Sequence, residues 1–148
     1  MVICELVAEL YPESAQLPAD PVARARMRLF IALVEGTLLD AFRNRILGTA
    51  PPADFLAVLE ALQARLAPEG YVLGEEWSLA DVAVAPLLLR AVMMLKYELG
   101  KYPIGEGKAM LEALKEPKFA RLMKYVELLQ ARPSVQKTWD EVSASATL

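Results

Sequence analysis

The chain has 148 residues, 55% of them hydrophobic, with a formal net charge of −3, one cysteine and no histidine. The missing imidazoles exclude a Ser-His-Asp triad, a Cys-His nucleophile and a histidine metal site, and Cys4 alone cannot form an internal disulfide. The charge balance argues against a nucleic-acid footprint, and Arg90 interrupts the longest apolar run, which argues against a membrane span.

The length is that of one domain with one core. A lone cysteine and the lack of a basic signal region at the N-terminus fit a reducing compartment, so a cytoplasmic location is expected. No Gly-rich phosphate loop is present. The composition offers no metal ligand set and no catalytic constellation.

In chain order, Ile3, Leu6, Val7 and Leu10 have helical spacing. No Ser, Thr, Asp or Asn precedes them, so residues 1–11 read as the tail of a helix that begins elsewhere, closed by Tyr11-Pro12. Cys4 is expected to be a buried or half-buried residue of that helix. Residues 12–20 read as a linker. Asp20-Pro21 is a good helix start, and a long helix is predicted from there to about Leu47. Val22, Ala25, Leu29, Leu33, Gly36 and Phe42 trace its apolar side, widened by Phe30, Val34, Leu38 and Ala41. Gly36 is expected to permit a close helix crossing, and Gly48 to follow the last turn as a C′ residue.

A turn over residues 49–52 leads to a helix from about Ala53 to Leu66, with Phe55, Val58, Leu59, Leu62 and Leu66 on one face. Residues 68–77 form a loop, and Trp77 is expected to pack against the start of the helix after it. That helix, Ser78 to Leu99, is apolar nearly all round, so it is predicted to be the buried central helix. Ser78 and Asp81 have the spacing of an N-capping box, with Asp in place of Glu or Gln, and their role is structural capping. Pro86 removes one backbone donor within this helix and is expected to bend it. Gly100 and Pro103 break the chain. Short helices are predicted over about 106–114 and from Pro117, the latter with Phe119, Leu122, Met123, Val126 and Leu129 on one face. Arg132-Pro133-Ser134 makes a corner, after which Ser134 is expected to cap a last helix carrying Val135 and Trp139. The tail 143–148 is expected to fray. The fold class is all-α, with no strand pattern and no repeat.

Several of these motifs stand in the order found in one family. Gly74-Glu75-Glu76-Trp77-Ser78-Leu79-Ala80-Asp81 resembles the G-x-x-x-S-x-A-D segment that opens the buried helix of the C-terminal domain of cytosolic glutathione transferases. Ile3-Cys4-Glu5-Leu6 with Tyr11-Pro12 resembles the I-x-E-Y-L-x-x-x-Y-P end of the last helix of that family's thioredoxin-like domain. Asp20-Pro21 with Ala23, Arg24 and Ala25 resembles the start of the helical domain, and Arg132-Pro133-Ser134-Val135 resembles its R-P-S-V corner. The flavour is closest to fungal and omega-like members.

The resemblance implies a division of the chain: 1–11 as the end of the thioredoxin-like half, 12–20 as linker, and 21–148 as the C-terminal-type helical bundle. In the family, the thioredoxin-like half carries glutathione and the catalytic residue, so the resemblance carries no glutathione contact and no catalytic residue to any position here. What it implies for this chain is a glutathione-transferase-like protein without its glutathione half and with little or no activity alone, and with no cofactor of its own. The family's electrophile site takes its apolar wall from the first and central helices of this domain. On spacing, Phe30, Val34 and Tyr97 are candidates for that wall, and Arg24 or Arg28 for contact with a carboxylate. Two other readings stand beside it. One is a stand-alone interaction module, expected to form a homo-oligomer through uncovered apolar surface; the other is a carrier of small apolar ligands.

Overall fold

The computed structural model describes residues 1–140, so the expected fraying of 143–148 lies outside the described residues. The chain forms helix α1 (Val2–Leu10), a 3-10 turn (Pro12–Ser14), helix α2 (Pro21–Leu33), a π-turn (Val34–Leu38), and helices α3 (Leu39–Ile46), α4 (Pro52–Gln63), α5 (Leu79–Lys96) and α6 (Glu106–Leu114). A second 3-10 turn (Pro117–Phe119) precedes α7 (Ala120–Ala131) and α8 (Pro133–Thr138). The architecture is all-α, and the isolated Tyr71–Gly74 bridge is the sole β pairing among the described residues.

The helix starts follow local chemistry. Asp20 accepts the Ala23 N–H at 2.7 Å, and Pro21 opens α2 where a missing N–H costs nothing. The helix predicted to run to about 47 is present, but through a π-turn that joins α2 to α3. It stops in a Schellman motif: Thr49 N–H reaches Asn44 O at 2.9 Å and Gly48 N–H reaches Arg45 O at 3.1 Å. Gly48 has φ +68°, and a Cβ there would lie 1.8 Å from the Lys101 carbonyl oxygen, so glycine is required twice over.

Helix α5 is the axis of the bundle and packs against α2, α6 and α7. Leu79, Val84, Leu88, Met93 and Leu95 are all at most 2% exposed, and each contributes about 1.5–3 kcal/mol by leaving water. Leu122, Tyr125 and Leu129 bring one face of α7 into the same core, together with Phe119 from the turn before it. The helix continues through Pro86, which leaves the Val82 carbonyl without its usual i+4 donor.

Four local expectations fail, each for a physical reason. The buried stripe of the long helix is Met27, Phe30, Ile31, Val34 and Leu38, whereas Val22, Ala25, Leu29 and Gly36 are exposed. This helix carries two apolar stripes, and only one can face α5. Gly36 lies in the π-turn with open space where a Cβ would stand, so no helix crosses there. Cys4 is exposed, because α1 buries Ala8 and leaves its other sides uncovered. Ser134 lies inside α8, whose N-cap is Arg132, with Pro133 opening the helix and Trp139 just beyond its end.

Candidate functional site

The start of α5 is the most heavily bonded polar point of the molecule. Asp81 is completely buried. Its carboxylate accepts the Ser78 N–H at 2.9 Å, which with the Asp81 N–H donated to the Ser78 side chain makes a capping box, and it also accepts the Ser78 O–H at 3.0 Å. It also accepts the Val72 N–H at 2.9 Å and the Tyr125 O–H at 2.7 Å. Burial first, and the adjoining Asp81 carboxylate second, push the Tyr125 phenol far above the ordinary tyrosine range, so it remains a neutral donor. Arg121 bonds the Ala67 and Gly70 carbonyls at 2.7 and 2.8 Å and pins the loop that delivers Val72. A carboxylate with both oxygens engaged and no contact with water is not a general base. Its chemistry is structural: it fixes the entry to α5 and locks α7 and the 67–73 loop to it.

The candidate apolar-wall residues occupy different places. Phe30 and Val34 are core residues on α2 and the π-turn, 3% and 2% exposed. Tyr97 comes after the last turn of α5 and is 44% exposed, with the Lys96 ammonium 5.0 Å from its ring centroid. The candidate anion contacts both have protein partners. Arg24 donates twice to the Pro18 carbonyl, at 3.1 and 2.9 Å. Arg28 forks onto Glu5 and ties α2 to α1, its Nε at 2.8 Å. Phe30 floors a cleft between α2 and the α4–α5 connection, which Val34 and Tyr97 do not border.

A second cleft, of about 570 Å³, runs along α5 between Gln16, Trp77 and α8. Pro86, Leu89 and Val135 give it an apolar wall, and Arg90 and Arg132 stand on it with both of the chain's tryptophans, Trp77 and Trp139. The Arg132 guanidinium lies 4.0 Å from the Trp77 ring centroid and bonds the Ser134 hydroxyl at 3.0 Å. Tyr71 meets Trp77 edge-on at 5.3 Å. Trp77 is thus held between a cation and an aromatic edge, in a fixed orientation at the cleft mouth. The cationic side of this cleft is not legible in the sequence: Arg132 reads there only as a corner residue, since its aromatic partners lie far away along the chain.

Among the described residues no group of His, Cys, Asp and Glu side chains is arranged to hold a metal ion. No described helix is long and apolar enough to cross a membrane.

Residues 52–135, from the start of α4 into α8, match the family model described as glutathione S-transferase, C-terminal domain. The chain belongs to this family. Glutathione transferase Omega 1C from Trametes versicolor superposes on it with a TM-score of 0.93 at 43% identity, covering 99% of this chain and 61% of its own. Omega 2S from the same fungus gives 0.90 at 43% identity, over 97% of this chain and 62% of its own. The same Omega 2S transferase in complex with 2,4-dihydroxybenzophenone matches with a TM-score of 0.90 at 42% identity, over 97% of this chain and 64% of its own. The chain therefore spans less than two thirds of the length of these omega transferases. For this glutathione-transferase C-terminal domain, the Ser78–Asp81 capping box and the Arg132–Val135 corner sit within the matched span.

Proposed function

We propose that these residues form the helical half of an omega-like glutathione transferase, which walls the electrophile site and has little or no transferase activity on its own. One observation carries this reading: almost the whole chain superposes on omega transferases, yet it accounts for only 61% to 64% of their length. In the family the glutathione site lies in the thioredoxin-like half, and the match here is to the C-terminal domain family. Conjugation requires a thiolate of glutathione to attack an electrophile, and that needs donors that lower the thiol pKa. The buried polar groups at the head of α5, Asp81 and Tyr125, are committed to each other and to backbone, which leaves them no part in such a step. The domain's contribution is then surface: the cleft along α5, with an apolar wall and two tryptophans, is a fit for a flat aromatic electrophile. The structure of the related Omega 2S transferase in complex with 2,4-dihydroxybenzophenone, an aromatic molecule, supports an aromatic ligand for this cleft. A cytoplasmic location suits the same reading.

The test is turnover of a chromogenic aromatic electrophile by the purified chain with glutathione, beside Trp77 and Trp139 fluorescence during titration with the electrophile alone. Quenching without turnover is the expected result. Turnover at the level of a complete transferase overturns the assignment of the chemistry to the other half.

A second reading rests on α1. Val2, Ile3, Leu6 and Leu10 are 81%, 77%, 54% and 65% exposed on one short helix. Contiguous apolar surface of this kind is typical of an interface, and it favours self-association of the chain into a homo-oligomer. Light scattering at micromolar concentration tests it: a multimer that Leu6→Glu and Leu10→Glu dissolve is expected, and a monomeric parent chain removes the reading.

A further inference from the structure

The turn between α5 and α6 carries the most exposed large apolar side chain among the described residues, Ile104 at 95%. The Glu106 N–H donates to the Pro103 carbonyl at 3.2 Å, and Gly105, third in this β-turn, has a φ of +98°. Ile104 is the second residue of the turn and stands at its tip, beside exposed Pro103. The turn is tied to the bundle. The Glu98 carboxylate accepts the Gly105 and Lys108 N–H groups, the Tyr102 O–H donates to the Met94 carbonyl at 3.2 Å, and the Lys101 N–H donates to the Ile46 carbonyl at 2.7 Å. A lone exposed apolar residue is ordinary. This one is presented on a fixed tip, and Tyr97 and Leu47 nearby are also exposed. Leu47 and Leu99 border one shallow apolar cleft with Lys101.

Charge around the tip is one-sided. Lys101 and Lys108 flank it and are exposed, and so is Lys96 in the last turn of α5. The two carboxylates of the same stretch are engaged, Glu98 by those backbone N–H groups and Glu106 by Arg45 at 2.6 Å. Helix α1 is the contrast: it exposes more apolar surface, but its charged side chains are Glu5 and Glu9, and it has no lysine or arginine. We propose that the 103–105 tip is a peripheral membrane contact, selective for an anionic lipid surface. Ile104 enters the boundary between headgroups and acyl chains, and Lys96, Lys101 and Lys108 meet the lipid phosphates and carboxylates. A protein partner asks for a groove or a broad complementary face, whereas a convex tip flanked by lysines suits a fluid surface that closes round it. A β-branched side chain on a fixed turn loses little freedom on insertion. The contact is shallow and reversible, because one apolar side chain with a few lysines does not anchor a protein permanently. It involves no glutathione, so it stands or falls apart from the transferase reading.

The test is co-sedimentation of the full chain with sucrose-loaded vesicles of phosphatidylcholine, with or without added phosphatidylserine. Binding is expected with the anionic vesicles and not with the neutral ones, and it falls as ionic strength rises. Ile104→Ser weakens it about tenfold, the effect of withholding one aliphatic side chain from the acyl boundary. Lys101→Gln and Lys108→Gln each weaken it about fivefold. Leu6→Ser, on the apolar face of α1, leaves it unchanged. In Ile104→Trp the added fluorescence is quenched by lipids brominated in their acyl chains, beyond any quenching of the parent. The substituted residues are all exposed, and circular dichroism checks that each variant is folded. The proposal is overturned if the chain ignores phosphatidylserine vesicles, an outcome that leaves the tip to an acidic protein partner. It is overturned equally by the same binding to neutral vesicles, by an undiminished Ile104→Ser, by loss of binding in Leu6→Ser, or by an Ile104→Trp that the bromines do not quench.

Discussion

A buried ion stands near each end of helix α5, Asp81 in its first turn and Arg45 of α3 beside its far end, and the two are handled differently. At its start, Asp81 is fully buried and every near contact is a donor: two backbone N–H groups, the Ser78 hydroxyl and the Tyr125 phenol. Beside its far end, Arg45 is only 2% exposed, yet its Nε has no partner. It has one strong contact, to Glu106 at 2.6 Å, and its guanidinium lies 4.0 Å from the Tyr102 ring centroid. Burying a charge is favourable only when hydrogen bonds replace water completely. The first site meets that condition and specifies the fold. The second half-meets it, so it ties α3 to α6 with little net stabilisation.

The largest effect is expected from Asp81→Ala. It strands the Val72 and Ser78 N–H groups and the Tyr125 hydroxyl in the core, a loss of about 3–5 kcal/mol. Urea denaturation measures it, and a change below about 1 kcal/mol would erase the contrast between the two ends. Tyr125→Phe comes next, at about 1.5–3 kcal/mol, because the lost bond is to an ion. It carries a pH signature as well. Free tyrosine ionises near 10.0, while burial and then Asp81 hold the folded Tyr125 protonated far above that. Above pH 10 the unfolded chain binds fewer protons than the folded one. The tyrosine's contribution is therefore complete below pH 10 and falls as pH rises, by about 1.4 kcal/mol per unit. Tyr125→Phe is expected to make the alkaline loss of stability less steep. Ser78→Ala, which removes the cap hydroxyl but keeps the carboxylate, is expected to cost about 1 kcal/mol.

Much of the first site is legible in the sequence because Ser78 and Asp81 lie within one helical turn, where spacing alone defines a cap. The same holds for Asp20-Pro21 and Gly48, whose roles are fixed by backbone geometry a few residues away. What spacing cannot reveal is the partner from afar. Tyr125 lies 44 residues beyond Asp81, and Glu106 lies 61 beyond Arg45. Nothing local therefore marks Tyr125 as a donor to Asp81, or Arg45 as the most buried arginine. The misplaced stripe on the long helix has a similar cause. Val22 and Leu29 are as apolar as Met27 and Ile31, and only the position of α5 decides between them. Cys4 reads as an inward residue for the same reason, from a helix whose covering element no local pattern supplies.

Two smaller effects sharpen the comparison at the far end of α5. Glu98, in the left-handed region at φ +55°, accepts the Gly105 and Lys108 N–H groups at 2.8 Å each and so holds the start of α6. The Gly105 bond above all lowers its pKa below 4.5. Its contribution is present above pH 4.5 and lost as pH falls through the lower folded value, so Glu98→Gln is expected to flatten the acid limb of the stability profile. Arg45→Met is expected to change stability by less than about 1 kcal/mol, since it removes a half-satisfied buried charge and keeps the packing. A loss as large as that of Asp81→Ala would make the two ends equivalent.

The most direct test of the proposed function is isothermal titration of glutathione into the purified chain. If the glutathione chemistry lies outside these residues, no heat of binding is expected at millimolar glutathione. Saturable binding would mean that a thiol-binding site exists on the helical bundle or between its copies, and would contradict the assignment of that chemistry to the other half.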